Sequence, residues 1–300
     1  MRTRRTETGG NLAAWQARLL TPAPPEVFGA EELDGLPEPV RRHLSAAIAP
    51  GTPLARGATL TMRGSLRLGP RWLPFRAVEV LDPHVGFVWG ARVGGLIAGS
   101  DQYVDGAGAM RWRLAGLLTV AQGEGPDVSR SAAGRGGAEG VWVPTALLPR
   151  YGVRWSAEDD THVTVHHRLG DNPVDVRCTL DDDGLLRSFV LERWGDPDDT
   201  GSWGWHPFGG EITEHRTFGG LTIPARGTVG WHHGTDRWAA GEFFRFDVGS
   251  LRVPSPASPE SPAAPPHHQG CETVGGDISE RGGRTSERRR ATSPQRRAST

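Results

Sequence analysis

Eleven histidines are spread along the chain, and two of them, His162 and His166, stand four apart. On a helix that spacing would offer two imidazoles to one metal ion. The surrounding "THVTVHHRL" alternates apolar and polar residues, so both belong to a strand and stand about 13 Å apart. One zinc with ligands at about 2.1 Å cannot take both. The pairs His166-His167 and His232-His233 point to opposite faces for the same reason. Histidines are expected at the surface, with no metal site. Cys178 in "VDVRCTL" shares the apolar parity of Val174, Val176 and Leu180, which predicts a buried, inert thiol rather than a nucleophile. No Gly-x-Ser-x-Gly elbow is present. "GRGGAEG" (134–140) fits neither glycine-rich phosphate-binding pattern. The acidic runs Glu158-Asp159-Asp160 and Asp196-Pro197-Asp198-Asp199 fall at turns and lack the order of a calcium loop. No cofactor is expected.

What remains is aromatic. The chain has eleven Trp against two Tyr, and many of these Trp lie in strand-like runs, Trp89, Trp112, Trp194 and Trp231 among them. Each buries about 150–250 Å². They either fill a core or line a cavity that the sheet leaves open. A few charges interrupt the same apolar faces: Arg92 just after Trp89, Glu192 and Arg193 late in "RSFVLERW", and Glu139 three before Trp142. Buried charges need partners, so Glu139 is expected to pair with Arg92 or Arg193, as a structural link or as a grip on a ligand headgroup. "GSWGWHPFGGE" (201–211), with Trp205 and His206, reads as a long aromatic loop, a lid or a plug. The candidate ligand-binding residues are therefore Trp89, Arg92, Trp112 and Glu139, together with Trp142, Arg193, Trp205 and His206.

These residues are positioned by strands. In 58–68, Ala58, Leu60, Met62, Leu66 and Leu68 face one way and Thr59, Thr61, Arg63, Ser65 and Arg67 the other. Similar runs lie at 73–81, 85–93, 102–104, 109–114, 151–156, 161–169, 174–180, 185–194, 211–218, 222–232 and 238–248. Asp181-Asp182-Asp183-Gly184, Gly219-Gly220 and Gly234-Thr235-Asp236 are turns, and strands joined by tight turns run antiparallel. The fold class is mainly β (α+β): a curved antiparallel sheet, or half-barrel, of about ten strands with one or two covering helices. Helical spacing occurs at 10–20, at 37–49 and across 128–148. Pro224 lacks an N–H, so its strand is expected to be an edge or to pair on one side only at that point.

The domains expected are an N-terminal extension with a short helix (1–36), one β-rich domain (37–253) and a tail (254–300). The tail is dominated by Ser, Pro, Ala, Gly and Arg, cannot offset its ordering entropy, and reads as disordered. The net charge is −1, which favours no nucleic-acid partner. The two cysteines, Cys178 and Cys271, predict no structural disulfide. The basic N-terminus lacks the apolar stretch of a signal peptide, and no run is long enough for a membrane span, so a cytoplasmic location is expected.

Residues 37–253 resemble an uncharacterised bacterial domain family common in actinobacteria. The resemblance lies in "LPEPVRRHL" (36–44), "WLPFRA" (72–77), "GFVWGARV" (86–93), "VWVPTALLP" (141–149) and "LDDDGLLRSF" (180–189). The hairpin "TFGGLTIPARGTVGW" is similar to hairpins of the half-barrel lipoprotein carriers, which hold acyl chains between a curved sheet and helices. One departure stands out. The family carries a helix with bulky residues before "VWVPTALL", whereas this chain has Gly134, Gly136, Gly137 and Gly140 there. At about 1 kcal/mol each relative to Ala, these total about 4 kcal/mol against a helix.

Three functions fit these observations. The first is a non-enzymatic binding domain for an apolar or amphipathic, lipid-like small molecule. The second is an enzyme using the same cavity, with Glu139 or His206 as base. The third is a structural or partner-binding domain with a filled core.

Overall fold

A computed structural model describes residues 7–255. The alternating segments join one antiparallel sheet. Its first six strands are β1 (Ala58–Leu68), β2 (Arg71–Asp82), β3 (Gly86–Val93), β4 (Ile97–Val104), β5 (Ala107–Leu114) and β6 (Leu118–Glu124). The last seven are β7 (Arg154–Ala157), β8 (His162–Leu169), β9 (Asn172–Leu180), β10 (Leu186–Gly195), β11 (Gly204–Phe218), β12 (Leu221–Trp231) and β13 (Glu242–Arg252). Four helices accompany them: α1 (Glu7–Leu19), α2 (Glu38–Ala47), α3 (Pro126–Ala138) and the single turn α4 (Trp238–Gly241).

The thirteen strands are ordered β6-β5-β4-β3-β2-β1-β13-β12-β11-β10-β9-β8-β7. Every neighbour in the sheet is a neighbour in sequence except β1 and β13, which join the two halves. The sheet is curved and not closed, and β6 and β7 are its edges. The chain crosses between those edges through α3 and three short 3₁₀ turns, Glu139–Trp142, Pro144–Leu147 and Pro149–Tyr151. On the way α3 packs against β3–β6 of one half and β8–β10 of the other. It is the helix held inside the curve.

Thirteen strands exceed the ten or so expected. β6 is short and mostly exposed, with Leu118 and Val120 outside the core, so it has little buried alternation to read. The stretch 201–211 is not a loop for most of its length. From Gly204 it is the start of β11, and Phe208 pairs with Leu191 on one side and Trp231 on the other. Trp238 begins α4 rather than a strand. Pro224 sits within interior strand β12. It pairs with His215 of β11, and the β12–β13 pairing begins only at Arg226, so the proline is unpaired on that side.

The main core lies on the concave face, and Phe28 and Leu33 from the N-terminal extension belong to it. α1 covers the opposite face, where Leu19 packs with Val80, Val88 and Val104. Nearly all of 254–300, including Cys271, lies outside the described residues.

The glycines of α3 fit close contacts. A Cβ on Gly136 would come within 2.7 Å of Phe87 and 2.8 Å of Leu169, and one on Gly137 within 2.6 Å of Val174. Tertiary packing therefore holds this helix despite its propensity. Gly137→Ala should gain about 1 kcal/mol of helix propensity and lose about 1–3 kcal/mol to overpacking. The expected result is net destabilisation in urea unfolding, where an exposed helix glycine would show a gain.

Candidate functional site

The curve is wider than one thin helix can fill, and a cavity of about 640 Å³ remains beside α3. That is the size of a small-molecule site. Its walls are mostly aromatic and aliphatic, from Trp89 and Met110 on one flank to Phe208 and Phe246 on the other. Leu68 and Val120 both line it and are exposed, so it opens at that end. A separate void of about 10 Å³ beside His43 and His215 has room for one water at most.

Five of the eight candidate residues line this cavity: Trp89, Trp112, Glu139, Trp142 and Arg193. The other three lie off it. Arg92 has the outward parity of its strand, is exposed, and donates to the Gly95 carbonyl. Trp205 is exposed and meets Trp194 edge-on at 5.3 Å. His206 stands against Trp231 and His232.

Glu139 pairs with neither Arg92 nor Arg193. It accepts from Arg135 Nε at 2.7 Å, one helical turn back. Arg135 also donates to Asp101 Oδ2 at 2.9 Å, and lies 3.8 Å from Glu79. Its guanidinium sits over the Phe87 and Trp89 rings at 4.7 and 5.2 Å. Burial works against this charge, but Glu139, Asp101 and Glu79 outweigh it and hold Arg135 above its ordinary pKa. Asp101 is also fixed by Trp112 Nε1 at 2.8 Å.

Arg193 is placed differently. Its Nε donates to the Ser131 carbonyl at 3.1 Å, and its guanidinium lies 4.4 Å from the Phe208 ring centre and 4.9 Å from that of Trp231. It makes no ion pair among the described residues. Burial, and then the charge of Arg135, pull its pKa below the ordinary value. A guanidinium still stays protonated at neutral pH.

Glu79, Asp101 and Arg135 escaped the sequence reading. The signal was present for the two acids. Glu79 has the inward parity of Phe75, Ala77 and Leu81, and Asp101 that of Tyr103. A carboxylate on the core face of a strand is a burial to be explained.

Other candidates resolve as structural. Cys178 is buried and its thiol is pushed up to about 12 by burial. His162 and His166 each bond a carboxylate of their own, Asp159 and Asp175. Histidines are not all at the surface, since His167 and His232 are buried.

A curved open sheet around an inner helix, with an apolar hollow and a buried charged wall, defines a half-barrel with a ligand-sized cavity. The chain belongs to a family of unknown function, DUF6544, whose model matches residues 26–243. No curated protein matches it. Among solved structures it is similar to a LolA superfamily protein from Nitrosomonas europaea, at 7% identity and a TM-score of 0.40, covering 72% of this chain and 91% of that one. It is also similar to a DUF1329 family protein from Desulfovibrio piger, at 10% identity and a TM-score of 0.38, covering 72% and 90%.

Glu79 makes the site's stability depend on pH. Burial first, and then the neighbouring Glu139 charge, raise its pKa well above the ordinary 4.5. A raised folded pKa means the folded state holds the proton longer than the unfolded chain. Stability from this group is full below 4.5 and falls as pH rises through the raised value. Glu79→Gln should remove that decline. Urea unfolding at several pH values checks it, and an unchanged slope contradicts it.

Proposed function

We propose that this protein binds an amphipathic small molecule, with its apolar part in the cavity and an acidic head at Arg193. The supporting observation is Arg193, which lies on the wall of a large apolar hollow and makes no ion pair among the described residues; Arg67, also on that wall and also without an ion pair, is taken up by the Ala239 and Ala240 carbonyls. Arg135, its neighbour, is already met by three carboxylates. Arg193 is half-buried, and a charge so placed without a counter-charge carries a desolvation cost. A carboxylate or phosphate bound there recovers that cost and takes two parallel hydrogen bonds from the guanidinium fork. The Phe208 and Trp231 rings fix the plane of the fork.

A carrier or sensor of such a molecule needs nothing further from the site. Acid–base chemistry has less support. Glu139 is committed to Arg135, and His206 lies off the cavity.

The test compares palmitate with hexadecanol, which differ only at the head. Hydrogen bonds to a charged group contribute about 1.5–3 kcal/mol. Arg193→Gln should therefore weaken palmitate binding about 10- to 100-fold and leave hexadecanol binding unchanged, by titration calorimetry. Equal loss for both ligands removes the head assignment. Absence of either ligand in native mass spectra of the wild-type protein removes the binding reading altogether.

A further inference from the structure

Three consecutive hairpins end on one side of the sheet: β1–β2 at 68–71, β3–β4 at 93–97 and β5–β6 at 114–118. Their strands are adjacent and antiparallel, so the three tips stand side by side. The Ala115 amide donates to the Leu96 carbonyl at 2.8 Å and ties the second tip to the third.

These tips are apolar where hairpin tips are ordinarily polar. Leu117 is 89% exposed, Leu96 64% and Leu118 63%, with Leu68, Leu114 and Val120 also exposed. Leu68 and Val120 line the cavity mouth as well, so the exposed rim continues into the hollow.

Behind the rim, the outer face carries one sign of charge. Arg76 pairs directly with Arg92, and Arg92 is joined through Ala98 to Arg113. Arg111 lies exposed on the same face, and Arg71, of the opposite parity, is exposed at the first tip. None of these five makes an ion pair among the described residues. The segments 63–76, 90–100 and 109–123 contain no Asp or Glu; Asp101 lies just beyond and faces inward, and Asp247, on the outer face of the adjoining β13, is bonded to Arg63. Like charges directly opposite one another destabilise a sheet, so an anionic surface alongside would relieve a cost this one carries.

We infer that this rim docks on a lipid bilayer bearing anionic headgroups. The leucine tips enter the interface, and the arginine row meets the phosphates. Apolar side chains at a tip with basic residues set back from it form the arrangement that binds membrane surfaces. Docked this way, the cavity mouth faces the acyl layer. That orientation rests on the cavity reading for its purpose, but the docking itself does not.

The test is co-sedimentation of the full chain with vesicles, either phosphatidylglycerol mixed with phosphatidylcholine or phosphatidylcholine alone. The wild-type protein should pellet with the anionic vesicles and much less with the neutral ones. Each arginine near the surface contributes about fivefold, so Arg92→Gln/Arg113→Gln should weaken binding more than tenfold. Leu117→Asn/Leu118→Asn should also weaken it at least tenfold. Both pairs are exposed, and unchanged melting curves will show that the variants fold. Both variants should still take up palmitate from solution, which separates this inference from the cavity reading. The inference is overturned if wild-type protein stays in the supernatant with both vesicles, or if neither variant alters pelleting. It is also overturned if the tip variant merely dissolves a dimer that ignores lipid.

Discussion

Arg135 holds the inner helix where the cavity needs it. α3 has the sequence "PDVSRSAAGRGGA", with no Leu, Ile or aromatic residue to bury. Apolar burial, which holds most helices in place, has little to act on here. The guanidinium supplies the missing anchor. It reaches Glu139 on the following turn, Asp101 on β4 and the neighbourhood of Glu79 on β2, with the Phe87 and Trp89 faces beneath it. Removing one partner of a buried pair costs about 3–5 kcal/mol. Because α3 also touches β8–β10, the same anchor holds the two open halves of the sheet at a fixed separation.

The hollow persists because the two sides of α3 pack differently. On one side Gly136 and Gly137 let the helix approach Phe87, Leu169 and Val174 without room for a methyl group. On the other side the rings lean on one another instead. Trp89 and Trp112 are 5.7 Å apart, Phe75 and Phe244 5.0 Å, and Phe244 and Phe246 6.1 Å. Trp89 Nε1 and Trp142 Nε1 are bonded to Met62 Sδ and the Pro224 carbonyl. Rings engaged in this way form a wall and have little freedom to swing inward and close the space. The glycines that weaken the helix by propensity thus bring it close to β3, β8 and β9 and leave the aromatic wall uncovered.

Much of this was legible in the sequence, because a strand's period of two assigns faces directly. The alternation in 86–93 puts Trp89 inside and Arg92 outside, and Arg92 became a candidate only by overriding that parity for its nearness to Trp89. The same rule applied to "FRAVEVLD" would have found Glu79. The partner of each buried charge was not legible, because nothing local connects Arg135 to Asp101, 34 residues away across the sheet. The start of β11 was hidden by glycines, which read as turn residues in sequence but here sit between tightly packed strands. β6 was hidden because it is a short, exposed edge strand, and a strand with little to bury carries little pattern.

The two ends of β5 show that the sheet is chemically directional. At one end the turn is Asp105-Gly106 and at the other Ala115-Gly116, and all four residues have positive φ, at 53°, 80°, 51° and 74°. The first is a two-residue hairpin loop; the second is a three-residue loop, Ala115-Gly116-Leu117, in which the Leu117 amide donates to the Leu114 carbonyl. Asp tolerates that backbone and solvates it, and its carboxylate meets Arg18. Ala does neither, and left-handed backbone costs it about 1–2 kcal/mol. Folding alone would favour Asp-Gly at both ends. Where the sheet carries Ala instead, the flanking residues are leucines and the adjoining cavity opens. The unfavourable turn residue, the exposed leucines and the unpaired arginines thus coincide at one end, and stability accounts for none of the three. The proposed bilayer docking would use the leucines and the arginines, and Ala115 in place of Asp keeps an acid out of that end.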